Sequence, residues 1–324
     1  MAISRRRAWL ATFALTLAGG LPPIASAQDT FPNRPVRIIV PSAPGGALDL
    51  AARLVAQRMA DKLGQSVVVD NRPGADSLLG IRLVKDAPPD GYTILAHTST
   101  MTALPAFKLN PGFDLLKDFL PIGPAQRSPN VIAVSADLNV RTADEFLKLA
   151  RAQQVTYGSA GLGSTNHICG ASFGQQQKLA LMHVPYKGAA LALPDIAAGR
   201  VTAICSGYGG VAPYVKSGKM RVIGVTDDKR MAAIADVPTL KEQGVDFSYS
   251  FWMGLLAPAG TPRPVLARLA EALRFAAEDK DIRGRFAETG AIAWTASPEE
   301  FRDHLAKELA DTAALVRTLN IPKE

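Results

Sequence analysis

The sequence predicts an α/β fold of two lobes. Runs typical of β-strands alternate with helical patterns along most of the 324 residues. A glycine-bearing turn separates strand from helix at Pro41–Asp49 and again at Gly158–Thr165. A cluster of prolines and glycine at Pro121–Pro124 interrupts the alternation. Strands that alternate with helices at this pitch indicate parallel sheets covered by helices on both faces.

The first 27 residues have the pattern of a secretory signal. Three arginines at Arg5–Arg7 precede an apolar stretch over 8–21, and Ala25-Ser26-Ala27 supplies the small residues of a cleavage site. The sequence therefore predicts a mature chain that begins near Gln28. A membrane anchor is the alternative, but glycines and prolines interrupt a stretch that is already shorter than the ~20 apolar residues of a span.

The first predicted lobe opens with a βαβ unit. Val36–Val40 is a strand, Leu48–Leu63 carries apolar residues at helical spacing, and Ser66–Asp70 is the next strand. Gly64 ends the helix between them. The pattern continues with a helix over Ala75–Lys85 and a strand over Tyr92–Ala96; the next strand, Asn130–Val134, lies past the proline cluster.

The second predicted lobe repeats the alternation. Thr142 and Glu145 form a capping-box pattern that begins a helix over Thr142–Gln153. The following elements are strands over Val155–Tyr157, His183–Tyr186, Val201–Cys205 and Val222–Val225, with helices over Asn166–Gln177 and 191–198.

The last third is helical over Val265–Ala277 and Pro298–Leu319, with a short strand at Ala291–Trp294. We expect one lobe to comprise 28–122 plus 247–324 and the other 123–246.

The two glycine turns predict an anion site. Glycine lets successive backbone N–H groups point toward one spot, and the positive end of the helix that follows adds partial charge there. Such a turn stabilises a carboxylate or phosphate without a cationic side chain. Two turns of this kind could hold one anionic ligand from both sides.

Composition argues against a nucleic-acid partner. The formal net charge is +7, but three of these charges are the arginines of the signal, and aromatic residues make up only 6% of the chain. Lysines and arginines are interspersed with acids instead of forming one stripe. The four histidines show no familiar metal-ligand spacing with cysteines or carboxylates, so the sequence predicts no metal and no cofactor.

Cysteine usage leaves two alternatives. Cys169 and Cys205 are the only cysteines. An exported chain meets an oxidising compartment, where one disulfide could join them. Both also lie in apolar stretches, where buried free thiols are common.

Eight motifs that follow one another along the mature chain resemble the Bug family of extracytoplasmic solute receptors. They are Pro35–Pro41, Pro44-Gly-Gly46 with Asp49, Asn71–Ala75, Pro89–Thr93, Gly163-Ser164 with His167, His183–Gly188, Asp236–Thr239 and Gly254–Gly260. The sequence departs from the usual pattern at Asp76, Ser77 and Thr202. These departures concern ligand identity more than fold.

The resemblance implies a type II periplasmic binding-protein fold, in which two lobes close on a ligand like a Venus flytrap. It implies a periplasmic receptor, not an enzyme, that captures a small mono- or dicarboxylate, or an acidic amino acid, for a tripartite transporter's membrane subunits or a sensor kinase. By carry-over, the carboxylate is held by the turn of Pro44, Gly45, Gly46 and Ala47 and by the turn of Gly161, Leu162, Gly163, Ser164 and Thr165. Asp49 matches the family's aspartate and could meet an amino or hydroxyl group of the ligand, and His167 is a further expected ligand residue. Ser99 and Ser206 follow strands that face the expected cleft.

Alternatives stay open for three of these residues. Asp49 lies in the first turn of its helix, where a carboxylate stabilises the helix dipole without any ligand. Ser164 and His167 could serve an exported hydrolase, although Ser164 begins a helix, where a hydroxyl normally caps N–H groups, and no G-x-S-x-G elbow is present. Phosphate or nucleotide binding is a further alternative, but the Gly-Lys-Ser/Thr ending of a P-loop is absent.

Overall fold

The computed structural model describes residues 31–42, 44–45, 47–186, 188–321 and 323. The predicted signal, the start at Gln28 and the predicted ligand residue Gly46 lie outside them. Within the described residues the strands are β1 (Val36–Val40), β2 (Val67–Asn71), β3 (Thr93–Thr98), β4 (Phe119–Ser135), β5 (Val155–Ser159), β6 (Leu181–Pro185), β7 (Ala203–Gly207), β8 (Met220–Val225), β9 (Ser250–Pro258) and β10 (Ile292–Ala293). The helices are α1 (Ala47–Leu63), α2 (Leu78–Lys85), α3 (Thr100–Phe107), α4 (Leu115–Asp118), α5 (Ala143–Ala152), α6 (Thr165–Gln176), α7 (Ala189–Ala197), α8 (Tyr208–Lys216), α9 (Arg263–Glu278), α10 (Lys280–Glu288) and α11 (Pro298–Thr318).

The strands form a sheet in the order β2-β1-β3-β9-β4-β7-β5-β6, and β8 and β10 also pair with β4. In its first half, β1 runs parallel to β2 and β3. In its second half, β5 runs parallel to β6 and β7. This confirms the predicted alternation of parallel strands and helices.

Each half of the sheet has its own core on both faces. In the first half, Ile38 packs with α1 and α9, and Ile39 packs on the other face with Trp252 and α11. In the second half, Ile132 packs with α5 and α6. Its neighbour Val131 packs on the other face with α7 and α8. Side chains alternate between the two faces of a strand, so each half buries apolar residues on both sides.

One long strand connects the halves where the sequence predicts a break. β4 pairs with β9 up to Pro129 and with β7 from Asn130 onward. The register of the β4–β9 pair shifts at Pro121/Gly123 and again at Pro124/Gln126. Prolines are tolerated in strands at such bulges, so here they bend the strand without ending it. The lobe boundaries at 122/123 and 246/247 stay a prediction.

Two helix starts show what local sequence controls. The capping box of Thr142 and Glu145 is present, which confirms the predicted start of α5. The helix expected from Ala75 begins instead at Leu78. Ala75, Asp76 and Ser77 all have positive φ, at 47°, 53° and 76°, and this left-handed conformation cannot continue a right-handed helix.

Candidate functional site

The first glycine turn connects β1 to α1. Pro44 and Gly45 are exposed on this turn, and Ala47 begins the helix. Gly45 has φ +80°, a conformation that favours glycine. Its N–H donates to Oδ2 of Asp49 at 2.8 Å. The Gly45 amide is therefore used to hold the turn.

Asp49 is the centre of a hydrogen-bond network in this turn. The side chain is buried, and Arg53 donates to Oδ2 at 3.0 Å while Nδ2 of Asn71 donates to Oδ1 at 2.9 Å. Asn71 also donates to the carbonyl of Ser42. Burial alone would raise the pKa of Asp49, but the hydrogen bonds from Arg53, Gly45 and Asn71 hold it below its usual value. Both carboxylate oxygens are thus engaged by the protein itself.

The second glycine turn connects β5 to α6. Gly161 and Gly163 have φ of +120° and +73°. Oγ of Ser164 accepts the N–H of His167 and donates to the carbonyl of Gly161 at 2.7 Å. Ser164 is therefore the N-cap of α6.

His167 holds the second turn through a hydrogen bond to its backbone. The ring is buried, and its Nδ1 accepts the N–H of Gly163 at 3.1 Å. It stacks on His183 with 4.0 Å between ring centroids. Nε2 of His183 forms a hydrogen bond with Oγ of Ser159 at 2.6 Å. Burial lowers the pKa of both histidines to about 4, so both rings are neutral near pH 7.

This geometry does not support a serine hydrolase. The Ser164 hydroxyl donates to a carbonyl, and Nδ1 of His167 is occupied by the Gly163 amide. No hydrogen bond between these two side chains is present among the described residues. A nucleophilic serine needs such a bond to its base.

The start of α6 leaves amide hydrogens directed at no protein acceptor. Within the described part of the chain, no acceptor takes the N–H of Leu162, Thr165 or Asn166. They belong to the turn and to the first two positions of the helix, where N–H groups have no intrahelical partner. This is the arrangement that binds an anion.

Several buried polar side-chain atoms also have no partner among the described residues. They include Oγ of Ser42, a residue that follows β1, Oγ of Ser99, which follows β3, and Oδ1 of Asn130, where β4 changes its partner strand. In open α/β sheets, ligands bind beyond the carboxyl ends of the strands. Sequence analysis selected Ser99 but missed Ser42, since in the first turn the glycines and Asp49 carried the signal.

Ser206 lies at the end of β7, and a disulfide holds this strand to α6. Cys169 and Cys205 are bonded to each other with 5.9 Å between their Cα atoms, which decides between the two alternatives for the cysteines. Nδ2 of Asn166 also donates to the carbonyl of Cys205 at 2.8 Å. The second turn and the end of β7 are therefore joined covalently and by a hydrogen bond.

The structure brings the predicted residues together in two groups. Gly45, Ala47 and Asp49 form one group with Ser42, and the residues of the second turn form the other with Ser206. No hydrogen bond between described residues joins one group to the other. Among the described residues there is also no cluster of three or more metal-ligating side chains and no helix long and apolar enough to cross a membrane.

Comparison with known proteins decides the family. Residues 51–321 match the family described as "Tripartite tricarboxylate transporter family receptor". The chain belongs to this receptor family. Protein BugT of Bordetella pertussis is 31% identical over 322 residues, which cover 98% of each chain. The resemblance to the Bug family is thereby confirmed.

Two solved structures are similar to this chain over most of its length. "R. palustris Rpa4515 with adipate" has a TM-score of 0.78 and 30% identity, and covers 91% of this chain and all of its own. "MatC (Rpa3494) from Rhodopseudomonas palustris with bound malate" has a TM-score of 0.74 and 28% identity, and covers 88% of this chain and all of its own. A third similar structure, "Structure of periplasmic binding protein BugD", has a TM-score of 0.75 and 31% identity, and covers 91% of this chain and all of its own. This likeness confirms the two-lobed periplasmic binding-protein fold. BugD and a similar structure described as a "TctC solute binding protein from Polaromonas" are solute-binding proteins, not enzymes.

Proposed function

We propose that this receptor captures a small mono- or dicarboxylate in the periplasm, between the turn before α1 and the turn before α6. The observation that carries the proposal is the group of amide hydrogens at Leu162, Thr165 and Asn166 that no described protein acceptor takes. They occupy the start of a 12-residue helix, whose dipole favours a negative charge. The bound adipate and malate of the two similar structures support a carboxylate.

The supporting residues fix the backbone of both turns without touching the ligand. Asp49 holds the first turn, and His167 with the disulfide holds the second. A turn that is held in its binding conformation loses less entropy when the ligand binds. Ser42 and Asn130 offer the unpartnered side-chain oxygens that select among carboxylates.

Export, delivery and the predicted lobe boundaries belong to the same proposal. The pattern of the first 27 residues supports secretion to the periplasm. The family description supports release to the membrane subunits of a tripartite transporter, and a sensor kinase is the other candidate recipient. Closure of two lobes excludes water and strengthens the hydrogen bonds to the ligand.

The test compares acids with their uncharged amides. The mature chain from Gln28 is titrated calorimetrically with adipate, malate and adipamide, and the bound compound is recovered and identified. We expect a dicarboxylate to bind and to be returned unchanged, because the N–H groups recognise negative charge. Equal affinity for adipamide would refute the carboxylate site, and recovery of a converted compound would establish an enzyme.

Ser42→Ala tests the first turn, with Ser217→Ala as the matched control on an exposed surface. Removing one hydrogen bond to a charged group costs about 1.5–3 kcal/mol. We therefore expect an affinity lowered about 10- to 100-fold for Ser42→Ala and unchanged for Ser217→Ala. Unchanged affinity in both variants would remove Ser42 from the site.

A further inference from the structure

A cleft of about 630 Å³ lies between α6, α11 and the paired strands β4 and β9. Its lining includes Ser99, Arg127, Asp227, Tyr249, His304 and Glu308. We call it the hinge groove, because β4 and β9 connect the two halves of the sheet. Its volume is in the range of small-molecule sites.

The hinge groove lies on the opposite face of the β4–β9 pair from Gly207, the end of β7. Arg127 and Ser250 line the groove, whereas their chain neighbours Ser128 and Phe251 do not. Successive side chains of a strand point to opposite faces. A Cβ placed on Gly207 would lie 3.2 Å from the ring of Phe251, so that ring faces the end of β7. Only Ser99, of the residues predicted for the carboxylate site, lines the groove.

Three residues that line the groove each carry a buried polar atom with no hydrogen-bond partner among the described residues. These atoms are Oδ2 of Asp227, Oγ of Ser99 and Nε2 of His304. Asp227 is only 3% exposed and Ser99 is also 3% exposed. A buried polar atom without a partner costs free energy, so each of these atoms calls for a group that completes its hydrogen bonding.

The other oxygen of Asp227 is already satisfied. Its Oδ1 accepts from Arg127 at 3.3 Å and from the N–H of Asp228 at 2.8 Å. These two donors fix the carboxylate and leave Oδ2 as an acceptor. The missing partner of Oδ2 must be a hydrogen-bond donor, since an ionised carboxylate can only accept.

Charge in the groove is unbalanced toward negative. Three of its four carboxylates have a cation: Asp227 has Arg127, Asp228 has Lys241 and Asp311 has Lys307. Glu308 has no lysine or arginine within ion-pair distance among the described residues. Its Oε2 accepts only neutral donors, from Trp252 at 2.7 Å and Thr102 at 3.0 Å.

The pKa of Glu308 is that of a buried carboxyl without a cationic partner in the described part of the chain. Burial raises the pKa of its carboxyl to about 7. Burial also lowers the pKa of His304, whose Nε2 lies 4.0 Å from Oε2, so the histidine supplies no positive charge at neutral pH. A ligand that brings a cation would stabilise the ionised Glu308.

We propose that the hinge groove binds a small aliphatic amine in its ammonium form, with Asp227 and Glu308 as its acceptors. An ammonium group supplies both the donors that Asp227 lacks and the charge that Glu308 lacks. Tyr249 also lines the groove, and its half-buried ring can pack against the methylene chain. Of the residues predicted for the carboxylate site, this groove shares only Ser99.

The experiment titrates the mature chain with 1,4-diaminobutane by calorimetry at pH 7.5 and low salt. We expect saturable binding that Asp227→Asn and Glu308→Gln each weaken at least tenfold. Asp303→Asn, on the exposed side of α11, is the matched control and should leave the affinity unchanged. Absence of binding at millimolar diamine, or equal binding to wild type and Asp227→Asn, would overturn the proposal.

A variant with the opposite expected effect separates ligand contact from damage to the fold. Arg127→Gln removes the cation that competes for Asp227, so we expect the diamine to bind several-fold more tightly. A variant that merely disturbed the groove would bind more weakly, and that result would count against the proposal. Diamine affinity lost in Gly163→Ala but retained in Asp227→Asn would place the amine in the carboxylate site instead.

Discussion

Gly163 gives the sharpest test of the second turn, because the chain contains a matched glycine elsewhere. Gly163 has φ +73°, and a Cβ there would lie 3.1 Å from the ring of Phe107. Gly218, after α8, has φ +70°, and a Cβ there would meet no atom within 4 Å. Alanine at either position must adopt the same unfavourable left-handed backbone, whereas only Gly163→Ala crowds a neighbouring side chain.

The structure sets the magnitudes. A Cβ in the left-handed region costs about 1–2 kcal/mol, so Gly218→Ala should lower the free energy of unfolding by that amount. Phe107 is buried and meets the edge of His167 at 5.6 Å between centroids, so its ring has little room to move. Overpacking adds about 1–3 kcal/mol, which gives a total of about 2–5 kcal/mol for Gly163→Ala.

Ligand affinity should separate the two variants more clearly than stability does. A shift of the second turn misaligns the N–H groups of Leu162 and Thr165, and the loss of one charge-assisted hydrogen bond weakens binding about 10- to 100-fold. Urea denaturation measures the free energy of unfolding, and calorimetric titration with a dicarboxylate measures affinity. Adding Phe107→Leu to Gly163→Ala should relieve the crowding and leave only the cost of the left-handed backbone. Equal ligand affinity in Gly163→Ala and Gly218→Ala would refute the role of this turn.

Three further predictions concern the disulfide, a buried histidine and Asp49. Replacing Cys169 and Cys205 by alanine opens a loop with a sequence separation of 36 and should lower the free energy of unfolding by about 4 kcal/mol in urea denaturation; a loss below 1 kcal/mol would contradict this. Burial lowers the pKa of His97 to about 4, so the unfolded chain binds this proton first, and stability present above pH ~6.5 falls toward pH 4 by up to about 3 kcal/mol. His97→Gln should flatten that part of the pH profile, and an unchanged slope would show that other groups produce it. Asp49→Asn should lower stability and weaken all carboxylates together, unlike the exposed control Asp61→Asn; a changed order of ligand preference in a calorimetric panel would assign Asp49 to ligand choice.

The sequence predicted the elements whose signals are local. Ala51, Val55 and Met59 recur at helical spacing and pack into one core. The capping box at Thr142 begins α5 as expected. The continuity of β4 could not be predicted, because prolines usually end a strand and only pairing with β9 shows that they lie at bulges. The late start of α2 depends on the backbone of Ala75–Ser77, which residue type alone does not specify.

The candidate site divides in the same way. Glycine turns before helices are visible in sequence, but the partners that hold them come from distant strands. Asn71 reaches Asp49 only because β2 pairs with β1 in the register that sets Val40 beside Asn71. The hinge groove was not predicted at all, since its lining comes from five helices and strands and from the segments after β8 and before β9, whose polar residues look like ordinary surface.

The network around the two turns explains why the ligand leaves so little trace in the sequence. Side chains with distinctive chemistry, Asp49 and His167, are engaged with backbone amides of their own turns, at Gly45 and Gly163. In the proposed site, recognition of charge is thereby left to other backbone N–H groups, which every residue except proline supplies. Discrimination among carboxylates must then come from the few unpartnered side-chain oxygens, such as that of Ser42. Changes at those positions should alter which carboxylate binds while the turns continue to require a negative charge.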